Sequence, residues 1–513
     1  MSAQAGVSVV EVGAQPLTLD DYLAVTERGA RTRLAAAARS RMERYRASLE
    51  RQLAAGTRMY GVNTGYGADS VRTLPPEVIR TVQRNTVVSH AVGVGPKVPR
   101  EIVRGMMLLK ASVLAQGPSA VRPIVAHLLL ELLNHDILPV VPEHGSLAAS
   151  GDLVPSGHLA LPLLGEGEVL HAGRLRPARE ALAEFGLQSL EPEAKEGLAL
   201  VNGTVFSEAY ALAAVARAQR LLETADVVGA ATLQALKGHL GAFQERALSV
   251  RPFPGSLLCA ANLRDLCRDS ELLDEPPNRV HDPYCLRCMP QVHGASRDAF
   301  AYARQAVMVE LNAFTDNPLV FAEDDSWTSA GNFHAQPIGL PMDTLAVLVA
   351  EIASISQRRT QHLVMPVYDV GLPDKLSPEP ALGSGLFMLN TTAAALVSEN
   401  KALSFPASVD SMAVDTTEDH VSMASVSARK ALAIIANTAH VLALELVCAC
   451  QALDLQQRAA SAPARALHER VRRSVPFVKS DRSLSKEVGL VAEDILTGEV
   501  ARSVEPALGR ALR

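Results

Sequence analysis

The chain has 513 residues, enough for a large buried core and, by length alone, for about three domains. Lys and Arg total 49 against 55 Asp and Glu, a formal charge of -6, and no basic block interleaves with aromatics, so a nucleic-acid partner is excluded. Apolar residues make up 48% but aromatics only 4%, so Ala, Leu and Val dominate, a composition of packed helices rather than sheets.

The expected fold class is therefore mainly α: an elongated bundle of long helices with a smaller, mixed N-terminal region. Residues 1–16 lack the basic start and continuous apolar stretch of a secretory signal, and a flexible extension is expected there. From Leu17 to Ala55 the pattern is helical, ending at Gly56 before the turn-rich run Tyr60-Gly-Val-Asn-Thr-Gly-Tyr-Gly67. Helical passes follow at 76–92, 100–115 and 120–135. Glu168-Val-Leu-His-Ala-Gly-Arg174 is the best strand candidate, a small hairpin. Beyond Asn202-Gly-Thr204, helical periodicity runs to Lys237, and further long helices are expected at 296–315, 343–361, 384–404 and 422–454. Ala-rich helices with apolar residues nearly all round must be covered by neighbours, from this chain or another copy, which predicts an oligomer. The clearest boundary lies near Leu200, separating a 17–200 region from a 201–513 bundle.

Ala431 to Cys450 is the longest apolar stretch, but Asn437, His440 and Glu445 interrupt it, so it is a buried helix and no membrane partner is expected. Six cysteines are too sparse for a disulfide framework and point to a reducing compartment, the cytoplasm. Cys285-Leu-Arg-Cys288 and Cys448-Ala-Cys450 have no matching pair at zinc-site spacing, so they are structural cysteines and no metal is expected.

One tripeptide carries chemistry. It lies in His144-Gly-Ser-Leu-Ala-Ala-Ser-Gly-Asp-Leu-Val-Pro155. A tight turn that brings the amide nitrogen of Gly151 onto the carbonyl carbon of Ala149 lets the backbone cyclise, and loss of water from Ser150 leaves an exocyclic methylene. Only glycine lets that nitrogen approach freely. Without its flanks, Ala-Ser-Gly is an ordinary loop.

The flanks, together with separated motifs from about Tyr60 to about Asp454, resemble the aromatic amino acid lyase and aminomutase family, whose Ala-Ser-Gly becomes a methylidene-imidazolone group (MIO). The resemblance implies that Ala149, Ser150 and Gly151 form this group autocatalytically, with no external cofactor, and that its methylene captures the substrate amine and makes it a better leaving group. It further implies that Tyr60 removes the substrate β-proton and that Asn202 holds the electrophile or the amine. Arg287, in Asp282-Pro-Tyr-Cys-Leu-Arg-Cys288, corresponds to the arginine that grips the substrate carboxylate in a planar fork, with Tyr284 near the electrophile. Phe333 and His334, in Gly331-Asn-Phe-His-Ala-Gln336, are similar to the segment lining the ring, and Asn317-Pro318 belongs to the same pattern.

Each residue also has a plain structural role: Tyr60 as a packed loop tyrosine, Asn202 as a helix cap, Arg287 in a surface ion pair, His90 capping the end of its helix, Glu418 complementing a helix dipole. What counts against the plain roles is their co-occurrence in matching contexts.

Ser89-His90 occupies the place where the family selects the substrate ring, and histidine ammonia-lyases and some tyrosine aminomutases carry this pair. Glu418, in Thr416-Thr-Glu-Asp-His-Val-Ser-Met423, favours histidine, because histidine lyases resemble Gln-Glu-Asp-His-Val-Ser-Met here and a carboxylate accepts from an imidazole N–H. Three positions depart from the pattern: His281 replaces the Gln before Asp282, Thr417 replaces the Gln before Glu418, and the run Met365 to Asp374 is rewritten around Tyr368. The last keeps a 2,3-aminomutase acting on histidine or tyrosine as the alternative, ahead of a tyrosine ammonia-lyase or a non-catalytic helical scaffold. A fumarase-like lyase would lack the cyclising tripeptide. The implied protein is a histidine-deaminating homotetramer with active sites shared between subunits and a small aromatic amino acid as its partner.

Overall fold

A computed structural model describes residues 9–274, 279–409, 412–414 and 417–512. Among these, nineteen α-helices stand beside nine strands of two to four residues, so the chain is mainly α, as its composition predicts. The longest helices are Val205–Ala235, Met289–Glu310, Gln336–Val364 and Ala424–Leu455. Gln336–Val364 begins seven residues before the expected Asp343 because it runs through Pro341, a residue that usually ends a helix by removing one backbone donor.

The structure corrects the expected single helical pass over 17–55. Leu19–Thr26 forms one helix, closed at its start by a capping box in which Thr18 and Asp21 bond each other's backbone N–H. A turn at Gly29, with φ of 70°, follows, and Arg31–Leu34 is then a strand. Its side chains alternate, Arg31 and Arg33 outward and Thr32 and Leu34 buried, the period of two that a sheet requires. The strand pairs in parallel with Val9–Val12, so the expected flexible extension 1–16 is ordered from Val9, while residues 1–8 lie outside the described part. The hairpin at 168–174 forms as Glu168–His171 against Arg174–Pro177, turning through Ala172 and Gly173, both at positive φ, the geometry that matches strand twist.

The chain divides into two compact units, and the break is not a single one near Leu200. The first unit contains 1–213, 305–342 and 406–429; the second contains 214–304, 343–405 and 430–513. In the first, helix Arg100–Ala115 is buried from Ile102 to its end, Arg104 and Lys110 included. In the second, Gln336–Val364 and Ala424–Leu455 contribute a buried ion pair. Arg359 donates from Nε and Nη2 to the two oxygens of Glu445 at 2.6 and 2.9 Å, and Thr232 and Ser356 donate to the same carboxylate at 2.7 and 2.6 Å.

Both helices are long and apolar enough to cross a membrane, but 67% and 72% of their most apolar windows are buried inside the protein. Glu445, which interrupts the apolar run in the sequence, is thus a fully partnered core residue. Replacing Glu445 by Ala leaves Arg359 charged and unpaired in the core, and should cost roughly 3–5 kcal/mol of stability, read as a lower denaturant midpoint. The Arg359→Met/Glu445→Leu double variant should recover most of that loss.

Candidate active site

The tripeptide sits on a loop held from two sides. On one side Gly151, at φ of 82°, faces Gly203, and a Cβ added at 151 would come within 2.3 Å of the Gly203 carbonyl oxygen and 2.5 Å of its nitrogen. Glycine is obligatory there on both conformational and steric grounds. The next residue locks the contact, with Asp152 N–H donating to Gly203 O at 2.7 Å. On the other side the segment after Glu418 docks on the loop: Met423 N–H donates to Leu147 O at 3.1 Å, Ser422 Oγ to Ala148 O at 3.0 Å and Ser425 Oγ to Ser146 O at 2.7 Å.

Below the loop lies a buried polar layer. Asp152 accepts from Ser146 Oγ, Ser207 N–H and Ser207 Oγ at 2.7, 2.8 and 2.9 Å. Lys110 donates to the carbonyls of Ala199 and Asn202 at 3.1 and 2.5 Å, fixing the end of the Glu196–Val201 helix where Asn202 leaves it. Burial pushes the Lys110 ammonium down to about 8. Burial likewise raises Asp152, and burial together with the neighbouring Glu310 and Asp152 carries Glu208 well above the usual carboxylate range. Lys195 is also buried, donating to both oxygens of Asp316 at 2.9 and 2.8 Å and to Asn317 O at 2.8 Å.

Above the loop opens a cavity of about 550 Å³, within the range of small-ligand sites. Tyr60, Ala149, Ser150, Asn202, Phe333 and Glu418 all line it, so six of the residues expected from the sequence meet in one place. Ser150 Oγ donates to Glu418 Oε1 at 2.8 Å. Asn202 Oδ1 is buried with no hydrogen-bond partner, an acceptor left free on the cavity wall. Tyr60 is oriented by the Gly67 N–H, which donates to its hydroxyl oxygen at 3.2 Å, and by the edge of Tyr66, ring centres 6.4 Å apart. His334 and His420 join the wall as a pair, Nε2 to Nδ1 at 3.0 Å, and partial burial and the second imidazole lower the pKa of His334.

Ser89, His90, His281, Tyr284 and Arg287 do not line this cavity. Ser89 is exposed, and His90 Nδ1–H donates to the Thr86 carbonyl at 2.6 Å. His281 is exposed and Tyr284 is 73% exposed. The Arg287 guanidinium lies 4.8 Å over the Tyr284 ring, with its Nε buried and unpartnered. Tyr368, in the rewritten segment, stacks under Arg279 at 5.0 Å. Sequence reasoning missed Lys110, Asp152 and the pairing of His420. The first had a signal, a lone lysine inside the apolar run Met106-Met-Leu-Leu-Lys-Ala111.

Elsewhere Asp226, Cys259 and His293 bring three potential metal ligands within 4.8 Å. Asp226 already accepts from Arg297, Asn262, His293 and Cys259, and burial pushes the Cys259 thiol far above its usual range, so the group is a closed hydrogen-bond network around a neutral thiol.

A glycine-clamped serine loop facing a phenol, an amide and a carboxylate across one cavity places the chain among helical enzymes that act on small polar molecules. The profile of the aromatic amino acid lyases matches residues 17–473, and the chain belongs to that family. It is 44% identical to the histidine ammonia-lyase of Deinococcus radiodurans over 96% of its own length and 94% of that protein's, and 44% identical to that of Gloeobacter violaceus over 96% and 97%. Its fold matches the crystal structure of tyrosine aminomutase from Streptomyces globisporus with a TM-score of 0.92 at 34% identity, covering 98% and 100% of the two chains. It matches histidine ammonia-lyase from Trypanosoma cruzi with a TM-score of 0.90 at 35% identity, covering 98% and 95%.

Lys110→Met removes the donor to two buried carbonyls and should cost about 1–3 kcal/mol. Because the folded chain releases this proton near pH 8 and the unfolded chain near 10.5, the native protein should gain stability relative to Lys110→Met as pH rises between those values, measured by thermal unfolding.

Proposed function

We propose that this protein is a carbon–nitrogen lyase that deaminates L-histidine to urocanate and ammonia, with an MIO group matured from Ala149-Ser150-Gly151 and no external cofactor. The observation that carries the reading is the clamped tripeptide: Gly151 is pressed against Gly203 in a conformation only glycine tolerates, with Ser150 turned into the cavity. When formed, the group supplies an electrophilic methylene that takes up the substrate amine and improves it as a leaving group. The surrounding residues then have distinct tasks. Asn202 Oδ1, free of any partner, accepts an N–H of the incoming amine. Tyr60, held toward the cavity by Gly67, takes the β-proton. Glu418 accepts the imidazole N–H, and Phe333 walls the ring.

No arginine or lysine is among the described residues lining the cavity, so the substrate carboxylate lacks a cation there. We assign that role to Arg287 of a second copy in a homotetramer, with Tyr284, His281 and the Ser89-His90 pair completing the pocket. Support comes from the unpartnered Arg287 Nε and from exposed apolar residues such as Val280 at 98% and Phe405 at 78%, which a monomer would leave in water. All six cysteines are free thiols, which supports the cytoplasm as the compartment. A second reading, a 2,3-aminomutase, is favoured by the 0.92 TM-score to tyrosine aminomutase and the rewritten segment around Tyr368. Whether ammonia escapes or returns to the β-carbon depends on closure over the site.

Incubation with L-histidine and L-tyrosine tests the choice: urocanate with stoichiometric ammonia is expected, and β-histidine or β-tyrosine without ammonia overturns it. The intact native chain should weigh two waters less than its sequence, one from ring closure and one from Ser150, and a native chain of full mass refutes the prosthetic group. Tyr60→Phe should lower kcat by about 10²–10⁴-fold while leaving both water losses in place.

A further inference from the structure

Resting on that reading of the tripeptide, we propose that Glu418 also builds the prosthetic group, by carrying a proton from Cα to Oγ of Ser150 as the serine is dehydrated. Among the described residues the Ser150 hydroxyl is bonded to one group, Glu418 Oε1, at 2.8 Å. Of the nearby ionisable groups, Asp152 is turned to Ser146 and Ser207 beneath it and His334 and His420 bond each other, while Tyr60 and Asp419 share the cavity wall without a bond to the Ser150 hydroxyl. The contact is also built. Leu147, Ala148 and Ser146 each accept a hydrogen bond from the 422–425 segment, which sets Glu418 against Ser150 across 268 residues of sequence.

Two waters leave in sequence. In ring closure the Gly151 nitrogen bonds to the Ala149 carbonyl carbon, and the carbonyl oxygen departs with the amide protons of Gly151 and Ser150, leaving a C=N bond. That bond and the Ser150 carbonyl acidify the Ser150 Cα–H. In the second step the Cα–H bond breaks, its electron pair forms the Cα=Cβ bond, and the Cβ–Oγ bond breaks. The Cα proton passes to the Glu418 carboxylate, and the resulting carboxyl delivers it to Oγ, which leaves with its own hydrogen as water. No oxidant or reductant is consumed, and Glu418 ends as it began. A carboxylate in contact with the leaving oxygen suits this task, since an unassisted hydroxide is a poor leaving group.

The test follows both losses by mass spectrometry of the full chain and of its 149–151 peptide at successive times after cell-free synthesis. In Glu418→Gln, a species lacking one water should accumulate, with the second loss slowed about 10²-fold. A Glu418→Gln chain that loses both waters at the native rate overturns the proposal. So does one that, with native helical content, retains both waters, because Glu418 would then serve only to dock the loop. Glu418→Asp, which keeps a carboxyl, should restore part of the second step, and its failure to exceed Glu418→Gln counts against proton transfer. If the native chain itself loses no water, it is the reading of the tripeptide that fails, a result distinct from each of these.

Discussion

The contact between Gly151 and Gly203 is the constraint on which the site depends. Two backbones approach so closely that a single Cβ at 151 would overlap the carbonyl oxygen of 203. This approach gives Asp152 its carbonyl partner, and the start of the Leu153–Ala160 helix follows directly from it. It also turns Ser150 away from the core and into the cavity. A side chain at 151 would push the two segments apart, and Asn202, one residue before Gly203, would move with them, whereas one at 203 would press on Thr315 instead.

Holding two backbones together in a protein interior requires that the polar groups around them be satisfied, and the chain does this with charge as well as with amides. Lys110 secures the Ala199 and Asn202 carbonyls, Lys195 binds Asp316 and the Asn317 carbonyl, and Asp152 collects three donors. Burial lowers Lys110 and Lys195 and raises Asp152 and Glu208, in each case disfavouring the charged form. The second unit repeats the strategy with different residues. Asp226 holds Arg297 and His293, His293 accepts from Arg359 at 3.3 Å, and Arg359 closes on Glu445. Lys195, Asp226, Arg359 and Glu445 each have a charged partner, which is the condition under which burial of a charge is tolerated.

The long helices were legible because their signal is local: apolar residues every three to four positions, with turns at Gly and Pro. Where a locally helical pattern concealed a strand, as at Arg31–Leu34, the deciding partner was Val9–Val12, and two short segments of four residues cannot announce their pairing. Tyr60, Ala149, Ser150, Asn202, Phe333 and Glu418 were recognisable from motifs, and all of them meet in the cavity. Arg287 and Tyr284 came from equally clear motifs, yet they stack on each other and are not among the described residues lining it. Motif matching reports which residues a reaction needs; it carries no information on where the fold places them.

The sequence by itself determined the chemistry available: a tripeptide able to cyclise, a tyrosine in a glycine-rich loop, a glutamate in a histidine-lyase context, and helices too apolar to stand alone. Local spacing encodes all of these, since helix periodicity and turn preference act over a few residues. Only the tertiary structure decided that Glu418 bonds Ser150, that Gly203 and not another glycine faces Gly151, and that Lys110 supports Asn202. Those contacts join segments tens to hundreds of residues apart, and they exist because packing leaves one arrangement in which the loop's backbone groups and the buried charges are satisfied together.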